Sequence, residues 1–406
     1  MMASLITRRP ALGRRAATIA TAYAFFVTMV GTTLPTPLYP IYEARFGFSE
    51  LIVTVVFATY AVGVLAALLL LGHLSDEVGR RPVLLAGLAL AAISSVIFLV
   101  VNGLGPLLIG RLVSGLSAGI FTGTATATLV DFAPEGASGR GTLIAAMVTV
   151  VGLGTGPLLA GLLAQFVPDP LRIPYAVHLG LLCFAAIGIV LMPEPVKART
   201  GRASLRVQRL SVPPEMRTIF VRAATASFAA FAVMGLFSAV APAVLAQLLN
   251  FTSHWLAGVV VFLLLAASAL GQLALELTTA EVALPLGSAV IVVGCGLIAG
   301  AIAASSLALL LAGAAVAGLG IGLAFRAGLA AVNSRTPSAK RAEVDSSFFV
   351  VAYIAISLPI VGIGVAAQAV GLRSAGIVFT TLVGLLALAV TASLVRQRSG
   401  SSAVSA

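Results

Sequence analysis

Two arginines, Arg111 and Arg326, stand inside long apolar runs, whereas all thirteen acidic residues lie at or beyond the ends of such runs. A charge set in apolar sequence is expensive to keep, so it faces a polar interior, snorkels to an interface or meets a ligand. The chemistry open to it is contact with an anionic or carbonyl-bearing molecule, or service in a proton relay. Other chemistries find no residues. The three histidines, His73, His178 and His254, and the two cysteines, Cys183 and Cys295, have no metal-ligand spacing, and no nucleophile sits beside a base. Neither lysine, Lys197 nor Lys340, follows a glycine, so no phosphate-binding loop exists. The expectation is a protein that is not an enzyme, with no metal and no cofactor.

The elements that must hold those arginines follow from composition. A chain of 406 residues that is 60% hydrophobic and 9% charged has too little polar surface to cover a water-soluble globule. Its solvent is the lipid bilayer. There every backbone amide needs an internal partner, and apolar runs of about twenty residues satisfy this as helices. Twelve spans are expected: 17–41, 50–71, 82–101, 106–131, 142–166, 174–193, 221–247, 255–277, 283–303, 307–332, 346–371 and 374–395. The formal charge of +11 reports topology and not nucleic acid. The termini and even-numbered connections hold 19 of the 24 basic residues, and the opposite side holds Arg45, Arg172 and Arg373. Basic connections stay inside, which places both termini in the cytoplasm.

The connection between spans six and seven is basic and poor in apolar residues, which suggests a linker over 194–220 between a first bundle at 1–193 and a second at 221–406. An internal repeat agrees with this division. A shift of 203 residues lays Gly115 on Gly318, Gly119 on Gly322 and Gly161 on Gly364.

Three glycine-bearing segments add detail. Between spans two and three stand Gly72, Asp76, Gly79, Arg80 and Arg81, where the glycines permit a tight turn and the charges permit a salt-bridge latch. Span four begins with Arg111 followed by Gly115 and Gly119, a spacing that lets a neighbouring backbone approach. Span five carries Gly152, Gly156, Pro157 and Gly161, a proline bend flanked by packing glycines. In order and position these segments resemble the signatures of the major facilitator superfamily, with the third resembling the antiporter motif although Leu143 and Ala160 replace two of its glycines. The resemblance implies an all-α integral membrane fold of twelve transmembrane helices in two pseudo-symmetric six-helix bundles. It further implies that helices one, four, seven and ten line a central cavity, and that the latch pairs Asp76 with the start of helix eleven and Arg80 with Asp131 at the end of helix four. Glu343 and Asp345 at the start of helix eleven depart from that pattern.

The function expected is export of a small-molecule substrate, a drug or metabolite, from a bacterial inner (plasma) membrane, by proton antiport and rocking of the two halves. Arg111 and Arg326 are the candidates for relay or substrate contact, and Tyr23, Phe26, Thr126, Phe231, Met234 and Tyr353 are the candidates for the cavity wall. Glu43, Asp131, Glu276 and His178 are the titratable groups nearest the membrane interior. An uptake symporter or a uniporter of the same fold is the alternative.

Overall fold

The computed structural model describes residues 12–196, 207–337 and 340–404, with side chains to Arg396. The middle of the expected 194–220 linker lies outside the described residues. The long helices are α1 (Arg14–Thr33), α2 (Glu50–Leu71), α3 (Arg80–Leu99), α4 (Leu104–Asp131), α5 (Ser138–Phe166), α6 (Ile173–Leu191), α7 (Arg217–Ala239), α8 (His254–Ala274), α9 (Ala280–Ala304) and α10 (Leu307–Asn333). The final helical run, Arg341–Val404, breaks at Gly371, whose φ of 81° and ψ of 155° are outside any helix. A residue with a side chain resists that positive φ, so glycine sets the corner between α11 (341–370) and α12 (372–404). Among the described residues, eleven helical segments are long and apolar enough to cross a membrane, and the last of them, Arg341–Arg396, contains this corner. The two limbs, 341–370 and 372–404, are counted there as one segment.

Two expected spans are shorter as straight helices than their apolar runs. Span one ends at Thr33 and continues through a 3₁₀ turn (Thr36–Leu38) into a short helix (Tyr39–Phe46), because Pro35, Pro37 and Pro40 interrupt the amide ladder. Span seven ends at Ala239 and continues through Pro242 into a π turn (Val244–Leu248). The two halves therefore repeat the same device, a broken first helix.

Glycines set the packing within each half. A Cβ at Gly119 would lie 2.8 Å from Val64 O and one at Gly115 would run into Tyr60 O, so α4 rests directly on the α2 backbone. In the second half Gly318 meets Leu264 O and Gly322 meets Ser268 O, which places α10 on α8 in the same manner. The 203-residue repeat is thus a repeat of backbone contacts. It extends to the junction between halves: Gly161 on α5 abuts His254 O at the start of α8, and Gly364 on α11 abuts Leu51 and Thr54 at the start of α2. Gly258 meets Pro157 O beside the first of these. Hydrogen bonds from Gln368 Nε2 to Ser49 Oγ (3.2 Å) and from His254 N to Gln165 Oε1 (3.1 Å) join the halves at the same level. The contacts between the halves lie at the starts of α2 and α8, on the face that holds the α1–α2 and α7–α8 connections, opposite the α2–α3 connection.

Candidate functional site: a central cavity and a charged latch

The α2–α3 connection is a short helix (Leu74–Val78) followed by Gly79 with φ 107° and ψ 156°. That conformation brings Arg80 around to its partners. Arg80 is buried, with its Nη1 2.6 Å from Asp76 Oδ1 and 2.7 Å from Ser75 Oγ, and its Nε 3.0 Å from Asp131 Oδ2. The structure therefore brings Asp76, Arg80 and Asp131 into one cluster between the α2–α3 connection and the end of α4. Its Asp76 arm differs from the pairing expected with the start of helix eleven, where Glu343 takes Lys340 at 3.8 Å. Asp76 turns to Arg80 because the Gly79 turn between their two helices folds the start of α3 back beside it.

Glu194, just past α6, is a member that the sequence did not mark. Its two carboxylate oxygens accept from Arg80 N (2.7 Å) and Arg81 N (2.9 Å), the free amides at the start of α3. A carboxylate there satisfies orphan donors and meets the positive end of the helix. The Glu194 carboxylate also fills the space above Gly79, where a Cβ would lie 2.9 Å from Oε2.

The antiporter-like segment of α5 has a specific wiring. Pro157 lacks the N–H that would bond Leu153 O, and the hydroxyl of Thr33 on α1 donates to that carbonyl instead, at 2.8 Å. Gly152, 2.7 Å in Cβ terms from the Met29 Cβ, and Gly156, against Val30 O and Thr33 Oγ1, seat α5 on α1. Gly161 and the Pro157 carbonyl face α8. The segment therefore couples α1 to the other half. Replacing Thr33 with Val orphans a half-buried carbonyl, and we expect a loss of about 1 kcal/mol. Thermal unfolding of the purified variants checks this, since the double variant Thr33→Val, Pro157→Ala regains a donor and should recover much of the loss.

Between the halves lies a cavity of about 130 Å³, walled by α1, α2, α4, α5, α7, α8, α10 and α11. Of the expected wall residues, Phe231, Met234 and Tyr353 line it. Tyr23, Phe26 and Thr126 do not: Tyr23 turns its hydroxyl to Leu181 O (3.5 Å), Phe26 packs into the cores and Thr126 donates to Thr122 O one turn nearer the cavity. Thr122 itself reaches the wall, joined by Met29, Phe57, Tyr60, Phe325 and Phe349. The Tyr60 and Tyr353 hydroxyls approach each other across the two halves.

Arg111 also lines the cavity and is 2% exposed. It stands seven residues into α4, about 10 Å along the helix. Its Nη1 donates to Thr32 O at 2.6 Å and its Nη2 to Phe57 O at 3.4 Å, with the guanidinium carbon 4.8 Å from the Tyr60 ring centre and 5.7 Å from that of Phe57.

Arg326 is placed differently. Its Nη1 donates to Gln272 O at 2.5 Å and its Nη2 pairs with Glu276, so the side chain is committed to the C-terminal end of α8 and is absent from the cavity wall. Arg326, a candidate for relay or substrate contact, thus sits outside the cavity wall in this structure. The exposed carbonyls and the acid at that helix end attract a cation more strongly than an apolar cavity does. It also gives the second half an ion pair of its own. His178, 1% exposed, lies inside the first bundle with Nδ1 2.8 Å from Ser95 Oγ and Nε2 3.0 Å from Val27 O.

Comparison with known proteins agrees with this architecture. Residues 21–358 match the Major Facilitator Superfamily, and the chain belongs to that family. It is 25% identical over 179 residues to the quinolone resistance protein NorA of Staphylococcus aureus, a stretch covering 44% of this chain and 46% of NorA. It is also 25% identical over 186 residues, 46% of this chain and 48% of the relative, to the uncharacterised transporter MJ1560 of Methanocaldococcus jannaschii. The match thus spans about half the length of these relatives. Among solved structures, a bacterial homologue of the human lysosomal transporter Spinster superposes with a TM-score of 0.71 at 16% identity, covering 94% of this chain and 98% of that one. The human organic anion transporter MFSD10 superposes at 0.67 with 16% identity, covering 94% and 100%. The chain is therefore a multi-pass membrane protein of a transporter superfamily, whose members are not enzymes.

Proposed function

We propose that this transporter exports small amphipathic molecules by proton antiport across a bacterial inner membrane, with both termini and the latch on the cytoplasmic side. The carrying observation is the cavity, apolar over most of its wall and built from methionine, phenylalanine and tyrosine. Adaptable thioethers and ring faces hold varied apolar shapes without demanding one outline. The antiporter-like segment of α5, which ties the broken helix α1 to α8, supports export, as does the partial similarity to a quinolone resistance protein. The basic residues gathered on the latch face support the orientation. In this reading the two halves rock about the cavity. The contacts of Gly161 and Gly364 then close the outer side, and the Asp76–Arg80–Asp131 cluster stiffens the inner edge of the first half.

Everted membrane vesicles carrying a fluorescent amphipathic substrate test the proposal. An imposed pH gradient should drive uptake into these vesicles, and Arg111→Ala and Asp131→Asn should each reduce it at least tenfold. Movement indifferent to the gradient would replace proton antiport with uniport or exchange, and movement in the opposite direction would replace export with uptake.

A further inference from the structure

Arg111 is a buried cation whose own protein leaves it underpaired. A guanidinium has five N–H donors and a full charge, yet its described hydrogen bonds reach two backbone carbonyls, one of them at 3.4 Å, and its buried Nε has no partner. Ring faces of Tyr60 and Phe57 attract it without neutralising it. Among the described residues, no aspartate, glutamate or lysine lines the cavity, and Arg111 is the one ionised side chain in that wall. Burying an unpaired charge is costly, and the cost falls when an opposite charge with matching hydrogen-bond geometry arrives.

We propose that the cavity takes amphipathic organic anions, with a planar carboxylate on Arg111 and the apolar body against Phe231, Phe325 and Met234. This rests on the reading of the cavity as the substrate site, and it specifies the substrate's charge. The apolar wall alone accepts many shapes; the guanidinium adds a sign. A cationic amphiphile of the same size meets repulsion from Arg111 and finds no acid in the wall to offset it. A neutral one can offer a carbonyl to the guanidinium but leaves its charge uncompensated.

A ligand series of one shape and three charges tests this by calorimetric titration of the purified full chain: 2-naphthoate, its methyl ester and 2-naphthylmethylamine. We expect the carboxylate to bind at least tenfold tighter than either of the others. Arg111→Gln should bring the carboxylate down to the ester's affinity. Arg111→Lys, which keeps the charge and loses the planar fork, should fall between. Monodisperse elution and a cooperative thermal transition establish that each variant is folded. If Arg111→Gln does not fold, the wild-type series and Arg111→Lys decide. The proposal is overturned if the ester or the amine binds as tightly as the carboxylate, if none of the three binds, or if the preference survives Arg111→Gln. Direction of transport is read separately in everted vesicles: uptake in place of export, with the carboxylate preference intact, would sink the export reading and leave this one standing.

Discussion

Replacing Gly364 or Gly161 with leucine should abolish turnover while leaving the protein folded, with at least a tenfold fall in transport for each. At both sites the glycine faces backbone or the short side chain of the other half, with Leu51 Cα 3.0 Å and His254 O 2.5 Å from a would-be Cβ. Neither obstacle is the far end of a flexible chain, so relief requires the halves to separate. Overpacking of this kind costs about 1–3 kcal/mol per site, and it acts only on the conformation in which these faces touch. The equilibrium should shift toward the form open on that face. Cysteines introduced as Ser49→Cys and Gln368→Cys, in a chain whose Cys183 and Cys295 are replaced by serine, report the closed form. They should cross-link readily in the parent and poorly with Gly364→Leu. Equal cross-linking in both would remove the contact from the gating cycle.

Arg80→Ala should be the most damaging single change on the latch face, again costing tenfold or more in transport. The buried guanidinium serves Ser75, Asp76 and Asp131 together, and its loss leaves two carboxylates near one another with no shared cation. The two acids should not be equivalent. The Asp131 side chain is 29% exposed and that of Asp76 61% exposed, so water screens the Asp76 contact more strongly despite its shorter distance. Asp131→Asn should therefore exceed Asp76→Asn in its effect on vesicle transport, by several-fold. Arg80→Lys should recover part of the loss, since a single ammonium replaces the charge but reaches fewer partners. The reverse ranking of the two acids would show that the cluster is organised around Asp76 instead.

Much of this molecule is readable before it folds, for physical reasons that differ from feature to feature. The crossings follow from runs too apolar for water. The glycine contacts at 115, 119, 318 and 322 follow from a spacing whose only physical use is close backbone approach. The latch is local, with Arg80 four residues from Asp76. Glu194 is 114 residues from the amide it caps, and nothing in its own neighbourhood announces that role. The cavity wall fails for another reason. A helix that is apolar on all sides carries no phase in its composition, so Tyr23 and Phe26 read much as Phe231 and Met234 do. Thr126 and Thr122 differ by one turn, and only packing shows which of them reaches the cavity. Arg326 illustrates competition: the sequence shows an arginine in a cavity-lining helix, but not that Glu276 and the Gln272 carbonyl lie within its reach.

The solitary charge of Arg111 has an electrical consequence. If an organic monoanion occupies the cavity, the loaded carrier is neutral there and the empty carrier is positive. A membrane potential then acts on the form without cargo, on Arg111 and on any proton carried back, with at most about 2.3 kcal/mol per charge at 100 mV. With the interior negative, and in the orientation proposed above, voltage draws the protein without cargo toward its cytoplasm-open state, the state in which the glycine contacts on the far face are closed. Voltage would thus hasten the return stroke without touching the stroke that carries cargo. Efflux of an anion should therefore steepen with potential when the return stroke limits turnover, and voltage-clamped proteoliposomes in which it stays flat under that condition would count against the assignment.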